Sequence, residues 1–401
     1  MSKLEELIQR YCPNGVEYRP LGEICNIKGR IGFRGYTRDD QVKEGEGALS
    51  LSPSNIQGGQ MDYTKGTYIT WAKYEESPEI MTYNGDIILC KTASVGKVAL
   101  VKDLPYKATI NPQLVVLKDI KCSAPFLTYV LGTDEVQRKI ISMAGVGSVP
   151  NIPQKALAEI EIPIPPLPVQ EEIVRVLDTF TELQAELQAE LQKRLQQYNY
   201  YRDNLLSFEG RTDVEWKRLG DIACYVKERV NSNSITTDNY VSVENLLQNR
   251  QGKTTASNVP NGSLINYKPG DILIGNIRPY LKKIWLADRV GGTNGDVLTI
   301  RARNASITPE FLYQCLASDS FFQYNTNYAK GAKMPRGSKE DVLNYKIPIP
   351  SLEEQEKIVS ILDRFETLTN DLAAGLPAEI EKRRQQYEFY RDKLLTFKRA
   401  N

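Results

Sequence analysis

The chain has 401 residues, 25% of them charged, and a formal net charge of +1; this is an ordinary globular composition, long enough for two or three domains. It contains no histidine, which excludes Ser-His-Asp and Cys-His nucleophile systems, HExxH zinc sites and a histidine general base. The six cysteines (Cys12, Cys25, Cys90, Cys122, Cys224, Cys315) lie far apart with no CxxC, a pattern that argues against a zinc ribbon or disulfide framework and fits a reducing cytoplasm.

"MSKLEELIQRYC" is charged and amphipathic, which predicts a short helix over residues 2–11 rather than a secretion signal. No apolar run approaches the ~18–20 residues that span a bilayer, so no membrane contact is expected. Residues 17–161 predict a mixed lobe of short β-rich runs ("GDIILCK", "KVALV", "QLVVL") between Gly, Asn and Pro turns. Shorter helices fall near "FLTYVLGTDEVQRKIIS". "IPIPPLP" must be an extended lead-in, because proline lacks the amide donor and clashes with the preceding helical turn.

A long helix is predicted from about Val169 to Ser207. Its apolar stripe runs Ile173, Leu177, Phe180, Leu183, Leu187, Leu191, Leu195, Tyr198, Tyr201, Leu205, close to the helical period of 3.6. At 1.5 Å per residue such a helix is roughly 58 Å long. Residues 214–346 predict a second lobe and 347–401 a second helical region, in which Gly375 and Pro377 should kink or restart the helix.

The second half rewrites the first. "IPIPPLPVQEEIVRVLDTF" (from Ile162) matches "IPIPSLEEQEKIVSILDRF" (from Ile347) at an offset of 185 residues. "KRLQQYNYYRDNLLSF" (from Lys193) matches "KRRQQYEFYRDKLLTF" (from Lys382) at an offset of 189, so the second copy carries one more four-residue unit than "QAELQAEL". Fainter anchors are "VEYRPLGEI" with "VEWKRLGDI", "NGDIIL" with "PGDILI", "APFLTY" with "PEFLYQ", and the prolines Pro150 and Pro335. Between these anchors the halves read as wholly divergent. The expected fold class is therefore α+β: two β-rich, mixed α/β lobes separated by two long antiparallel helices, related by a pseudo-two-fold internal repeat. The expected divisions are 1–161, 162–213, 214–346 and 347–401. Net charge is 0 over 1–168, −4 over 169–213, +6 over 214–346 and −1 over 347–401. The +6 is either a solvated surface or an electrostatic footprint for nucleic acid.

The two helical regions and the LGEI/LGDI start of each lobe resemble the specificity subunit of type I restriction–modification systems. The resemblance covers the whole chain in plan and the helical regions in letters. It implies that each lobe is a target recognition domain reading one half of a bipartite, asymmetric double-stranded DNA sequence. It implies that the helices set the spacer and dock two modification (methyltransferase) subunits that carry S-adenosylmethionine. ATP-dependent restriction subunits would complete the assembly, and the chain itself would be a cytoplasmic, non-catalytic subunit with no cofactor or metal. Two unlike readers on a two-fold frame suit two unlike half-sites on opposite strands.

Candidate DNA-binding residues in the first lobe are Lys28, Arg30, Arg34 and Arg38 in "NIKGRIGFRGYTR", Lys91, Thr92, Ser94 and Lys97 in "CKTASVGK", and Asn111 and Gln113 in "NPQ"; "GVGSVPN" closes the lobe. In the second lobe they are Asn276, Arg278, Tyr280, Lys282 and Lys283 in "GNIRPYLKK", and Asn294 in "TNGD", a match to the NPQ site. Lys330, Lys333 and Arg336 in "YAKGAKMPRGSK", a segment with four basic residues and no acid, are the strongest nomination. Arginine reaches guanine edges, Asn and Gln pair with adenine, and glycine lets a backbone approach a phosphate. Each cluster taken alone reads equally as a solvated turn. Leu183, Leu187, Leu191 and Leu195 mark the spacer helix. Each four-residue unit adds about 6 Å of helix, and its ~400° of rotation keeps the apolar stripe aligned.

Two other functions stay open at this point. A stand-alone adenine methyltransferase needs [DN]PP[YF] and a glycine-rich cofactor loop, and neither "NIRPY" nor "INPQL" is that motif. A duplicated helical scaffold without DNA readout would carry the same repeats.

Overall fold

The computed structural model describes residues 3–30, 36–145, 149–303, 305–370 and 375–400. The chain divides into two units, Met1–Ala185 with Lys382–Asn401, and Glu186–Glu381. Each unit therefore takes its lobe together with pieces of both helical regions.

In the first unit a four-stranded antiparallel sheet has the order Val98–Leu100, Ile87–Cys90, Leu114–Lys118, Asn26–Lys28. A five-stranded sheet has the order Gln41–Val42, Thr67–Ile69, Ala48–Leu51, Ala108–Ile110, Met81–Thr82, with Ala108–Ile110 parallel to Ala48–Leu51. All four residues of Ile87–Cys90 are buried, because the strand is covered on both faces. Ile87 and Leu89 join the cluster that includes Phe126, Leu127 and Ile173, while Ile88 and Cys90 join the cluster of the second sheet. Alternate residues of a strand point to opposite faces, so a continuous apolar run is required here. Each full burial contributes roughly 1.5–3 kcal/mol.

The second unit repeats the plan. Its sheets run Ala223–Tyr225, Val297–Ala302, Ile272–Gly275, Ile284–Leu286 and Arg229–Asn231, Ser263–Tyr267, Gly291–Thr293, Tyr240–Val241. The last two strands of the second sheet are again parallel. Ile272 and Ile274 face the helix side, and Leu273 faces the other sheet. Paired helices follow in both units: Ala124–Leu131 and Asp134–Met143, then Pro309–Leu316 and Asp319–Asn327. Each lobe begins and ends on paired strands, Tyr18–Pro20 with Glu161–Pro163, and Glu215–Arg218 with Lys346–Ile349.

The N-terminal helix spans Lys3–Tyr11 and the long helix spans Leu167–Leu205. The long helix starts two residues before the expected Val169 because Pro168 fits the first turn, where no amide donor is needed. The second helical region comprises Leu352–Asn370 and Leu376–Leu394; Pro377 again occupies a first turn, and 371–374 lie outside the described residues. A buried glutamine fastens each lobe to its helix. Gln170 accepts from Ser123 N at 2.9 Å and donates to Pro165 O at 2.7 Å. Gln355 accepts from Thr308 N at 2.9 Å and donates to Pro350 O at 3.0 Å.

The helical stripes meet the other copy's aromatics within each unit. Phe180 stacks on Tyr390 at 5.5 Å, and Tyr198 and Tyr201 stack on Phe365 at 6.1 and 5.2 Å. Full burial of Leu183, Leu187, Leu191 and Leu195 is not found. All four are half-buried and none joins a lobe core.

Candidate nucleic-acid interface

Three loops meet in each unit, and backbone hydrogen bonds hold them in the same pattern. In the first unit Lys91 N donates to Gln113 O, Ala93 N to Pro150 O and Ile152 N to Lys91 O, all at 2.9 Å. In the second, Asn276 N donates to Asp296 O at 2.9 Å, Arg278 N to Pro335 O at 2.7 Å and Gly337 N to Asn276 O at 3.1 Å. Ala93 (φ 64°) and Arg278 (φ 53°), matched at the 185-residue offset, are both left-handed. This costs a side-chain-bearing residue about 1–2 kcal/mol, and the same cost recurs in both copies.

Asn111 and Asn294 open matching turns. Gln113 N donates to Asn111 Oδ1 at 3.0 Å, and Asp296 N donates to Asn294 Oδ1 at 3.1 Å. This explains their identity as turn residues. Asn111 is buried and its amide also donates to Gln113 Oε1 at 3.1 Å.

Of the candidate residues in these loops, Ser94 and Lys97 are exposed and Lys91, Thr92 and Gln113 are half-buried. Thr92 Oγ1 donates to Asn151 Oδ1 at 2.7 Å across the loops. Lys28 is exposed on the edge strand beside Val116, and Arg38 is exposed. Arg30 turns inward: it is buried, its Nε donates to Ile110 O at 2.9 Å, and burial lowers its pKa. Its guanidinium supports the floor of the Asn111 turn. Arg34 and residues 146–148 lie outside the described residues.

On the second face Arg278, Tyr280, Lys330, Lys333 and Arg336 are exposed. "YAKGAKMPRGSK" forms a hairpin rather than an open loop: Lys330 and Arg336 exchange backbone bonds at 2.9 Å, with Lys333 and Met334 between them. Arg336 lies 3.1 Å from Asp296 Oδ1. Asn276 is buried beneath the hairpin. Lys282 is drawn aside to Asp319 Oδ1 at 2.9 Å, and Lys283 to Val243 O at 2.6 Å. Burial lowers the pKa of both lysines, and Arg250 lowers that of Lys282 further.

One further motif repeats within the stretches that read as divergent. Ser52 N donates to Asn55 Oδ1 at 2.9 Å, and Asn55 Nδ2 donates to Asp62 O at 2.8 Å. Ser242 N donates to Asn245 Oδ1 at 2.6 Å, and Asn245 Nδ2 donates to Thr254 O at 2.9 Å. The signal was the S-x-x-N spacing of "LSPSN" and "VSVEN". Among the described residues there is no cluster of His, Cys, Asp and Glu able to hold a metal ion.

The family model for the type I restriction modification DNA specificity domain matches residues 13–197 and again 212–382. The chain belongs to that family. Each match takes in one lobe and the helix that follows it, as the internal repeat does. The EcoR124I/EcoR124II type I restriction enzyme specificity subunit of Escherichia coli is 33% identical over 261 residues, covering 62% of this chain and 62% of that protein. A Haemophilus influenzae protein named as a type I restriction enzyme specificity subunit is 34% identical over 261 residues, covering 60% of this chain and 65% of its own length. The matched stretch thus spans less than two thirds of either relative. The crystal structure of a type I restriction–modification S subunit from M. genitalium has a TM-score of 0.53 at 15% identity, covering 95% of this chain and 96% of that one. That likeness is one of fold.

Proposed function

We propose that the chain is the sequence-specific DNA-recognition subunit of a type I restriction–modification system. The observation that carries the reading is the duplicated three-loop face: one backbone frame, built twice, presenting different exposed polar and basic side chains. A fixed frame with exchanged contents is what reading two unlike half-sites requires. Backbone contacts would set register and side chains at groove edges would read bases. The lobes, residues 1–161 and 214–346, are the readers in this proposal. Their candidate contacts are Lys28, Lys91, Ser94, Lys97 and Gln113 on one side, and Arg278, Tyr280, Lys330, Lys333 and Arg336 on the other.

The chain supplies recognition, and its partners supply chemistry. Two modification subunits dock on the helical regions 162–213 and 347–401 and methylate adenine, which must leave the duplex stack to be reached. ATP-dependent restriction subunits join that core. The complex works on DNA in the cytoplasm; no described helix is long and apolar enough to cross a membrane. The four-residue units around Leu183, Leu187, Leu191 and Leu195 set the distance between half-sites, since each adds about 6 Å.

Mapping methyladenine in cells with and without the gene tests this reading. A bipartite motif present only with the gene is the expected result. Identical maps, or methylation by the purified chain alone, would overturn it. Deleting Gln184 to Leu187 should keep both half-sites and shorten the gap by one or two base pairs; an altered half-site with an unchanged gap would refute the spacer role.

A further inference from the structure

A chain of charged side chains runs from two buried arginines to half-buried groups near the surface of the second unit, and none of the roles above uses it. It begins at the end of the long helix. Arg202, buried, donates Nη1 to Ala317 O at 3.3 Å and Nη2 to the Tyr198 hydroxyl. Arg250, also buried, donates Nε to the same Ala317 carbonyl and Nη2 to Asp319. Asp319 also accepts from Lys282 Nζ at 2.9 Å, and Arg250 N donates to Lys282 O at 3.0 Å. The path thus ends in loop 276–283, which carries Arg278 and Tyr280.

The arrangement is costly. Two guanidinium groups share one carbonyl at the end of helix Pro309–Leu316, and burial together with Arg202 lowers the Arg250 pKa to about 10. Asn249, Arg250, Arg278 and Lys282 are all left-handed without being glycine. Charge burial and strain of this kind persist only where the surroundings enforce one geometry. The first unit does the same task cheaply. Gln137 Nε2 donates to Gly96 O at 2.9 Å and to Leu131 O at 2.6 Å, and Gly96 takes the positive φ. The helix-end arginine there, Arg391, meets Asp134 Oδ1 at 2.8 Å.

We infer that Arg250 is a positioning residue for sequence reading by the second lobe: through Asp319 and Lys282 it fixes loop 276–283, so the half-site read there depends on a side chain that touches no DNA. This inference rests on the proposed reading of the lobes. A favourable ion pair alone would stabilise the unit without selecting a base. A loop fixed in strained geometry, by contrast, aims Arg278 and Tyr280 in one direction only.

The test uses the full chain co-purified with its modification subunits. Arg250→Gln, Arg250→Lys and Asp319→Asn are compared with the unaltered chain for adenine methylation over a randomised DNA library. The two half-sites are scored separately, and a thermal melt is recorded for each variant. Arg250→Gln should relax discrimination about tenfold or more at one or more positions of one half-site, leaving the other half-site and the gap unchanged. Asp319→Asn should relax the same positions, and Arg250→Lys, which keeps the pair with Asp319, should recover part of the selectivity. Unchanged base preference with only a lower melting temperature or yield would overturn the inference, as would equal relaxation of both half-sites. If Arg250→Gln does not fold, Arg250→Lys and Asp319→Asn decide by the same criterion. An unaltered complex with no sequence preference would instead overturn the proposed function itself.

Discussion

The two lobes solve one problem with opposite chemistry. Each must hold three loops at the end of a buried sheet, and each uses the same backbone bonds. Position 152 in the first lobe is a fully buried isoleucine; its counterpart in the second is Gly337, where a Cβ would lie 2.3 Å from Asn325 Oδ1 and 2.8 Å from Asn276 Oδ1. The first lobe anchors the loop after strand Ile87–Cys90 with a neutral glutamine, and the second anchors the loop after strand Ile272–Gly275 with Arg250, Asp319 and Lys282. The difference teaches that beneath these two loops the duplication preserved the backbone frame and not the side chains that anchor it. Side chains beneath the loops are as free to differ as those above them, provided the loops stay held.

Changing the side-chain volume at the matched positions 152 and 337 should break this comparison most sharply. Ile152→Ala empties a filled site and should cost about 2–5 kcal/mol, read by denaturant unfolding of the full chain; a loss below about 1 kcal/mol would mean the frame does not depend on that packing. Gly337→Ala does the reverse and crowds two buried amides, with an expected cost of about 1–3 kcal/mol in the same measurement. Removing exposed arginines of the second face should act on binding rather than folding. Arg278→Ala or Arg336→Ala should weaken DNA binding by roughly 1–3 kcal/mol if the side chain reads a base, by titration of the complex with its target. Unchanged affinity and unchanged methylation would remove that residue from the interface. Lys97→Ala on the first face should give a smaller, sequence-independent loss and lower the salt slope by about one; a change in base preference there would contradict a phosphate role.

The smallest expected effect concerns acid. Hydrogen bonds from Arg175 and Lys3 hold buried Glu172 at a pKa of about 2, below its ordinary 4.5. Its stabilising contribution is present above pH 4.5 and is lost as pH falls toward 2. The matched position in the second copy is Lys357, so no carboxylate stands there. Melting curves at neutral pH and near pH 3 should therefore show a larger acid shift for the unaltered chain than for Glu172→Gln. Equal shifts would show that the pair contributes nothing.

The letters made some of this legible and not the rest. The long helix was readable because ten apolar residues keep one period without interruption, and its start moved only because Pro168 is tolerated in a first turn. Asn111 and Asn294 were paired correctly from position alone, although their side chains serve the turn. Arg30 read as an exposed reader among glycines, but three-dimensional packing turns it onto the Ile110 carbonyl. Lys282 likewise read as a surface cation and is claimed by Asp319, 37 residues away. The S-x-x-N motif was too short to stand out between unlike neighbours.

By itself the sequence determined the duplication, the helices and the family, because periodic and repeated patterns are local and survive in one dimension. Only the tertiary structure decided which basic residues face outward and which are buried supports. It also decided that loops as far apart as Thr92 and Asn151, 59 residues, close on one another. Those outcomes depend on long-range partners, and a side chain's role is set by what the fold brings within hydrogen-bond reach.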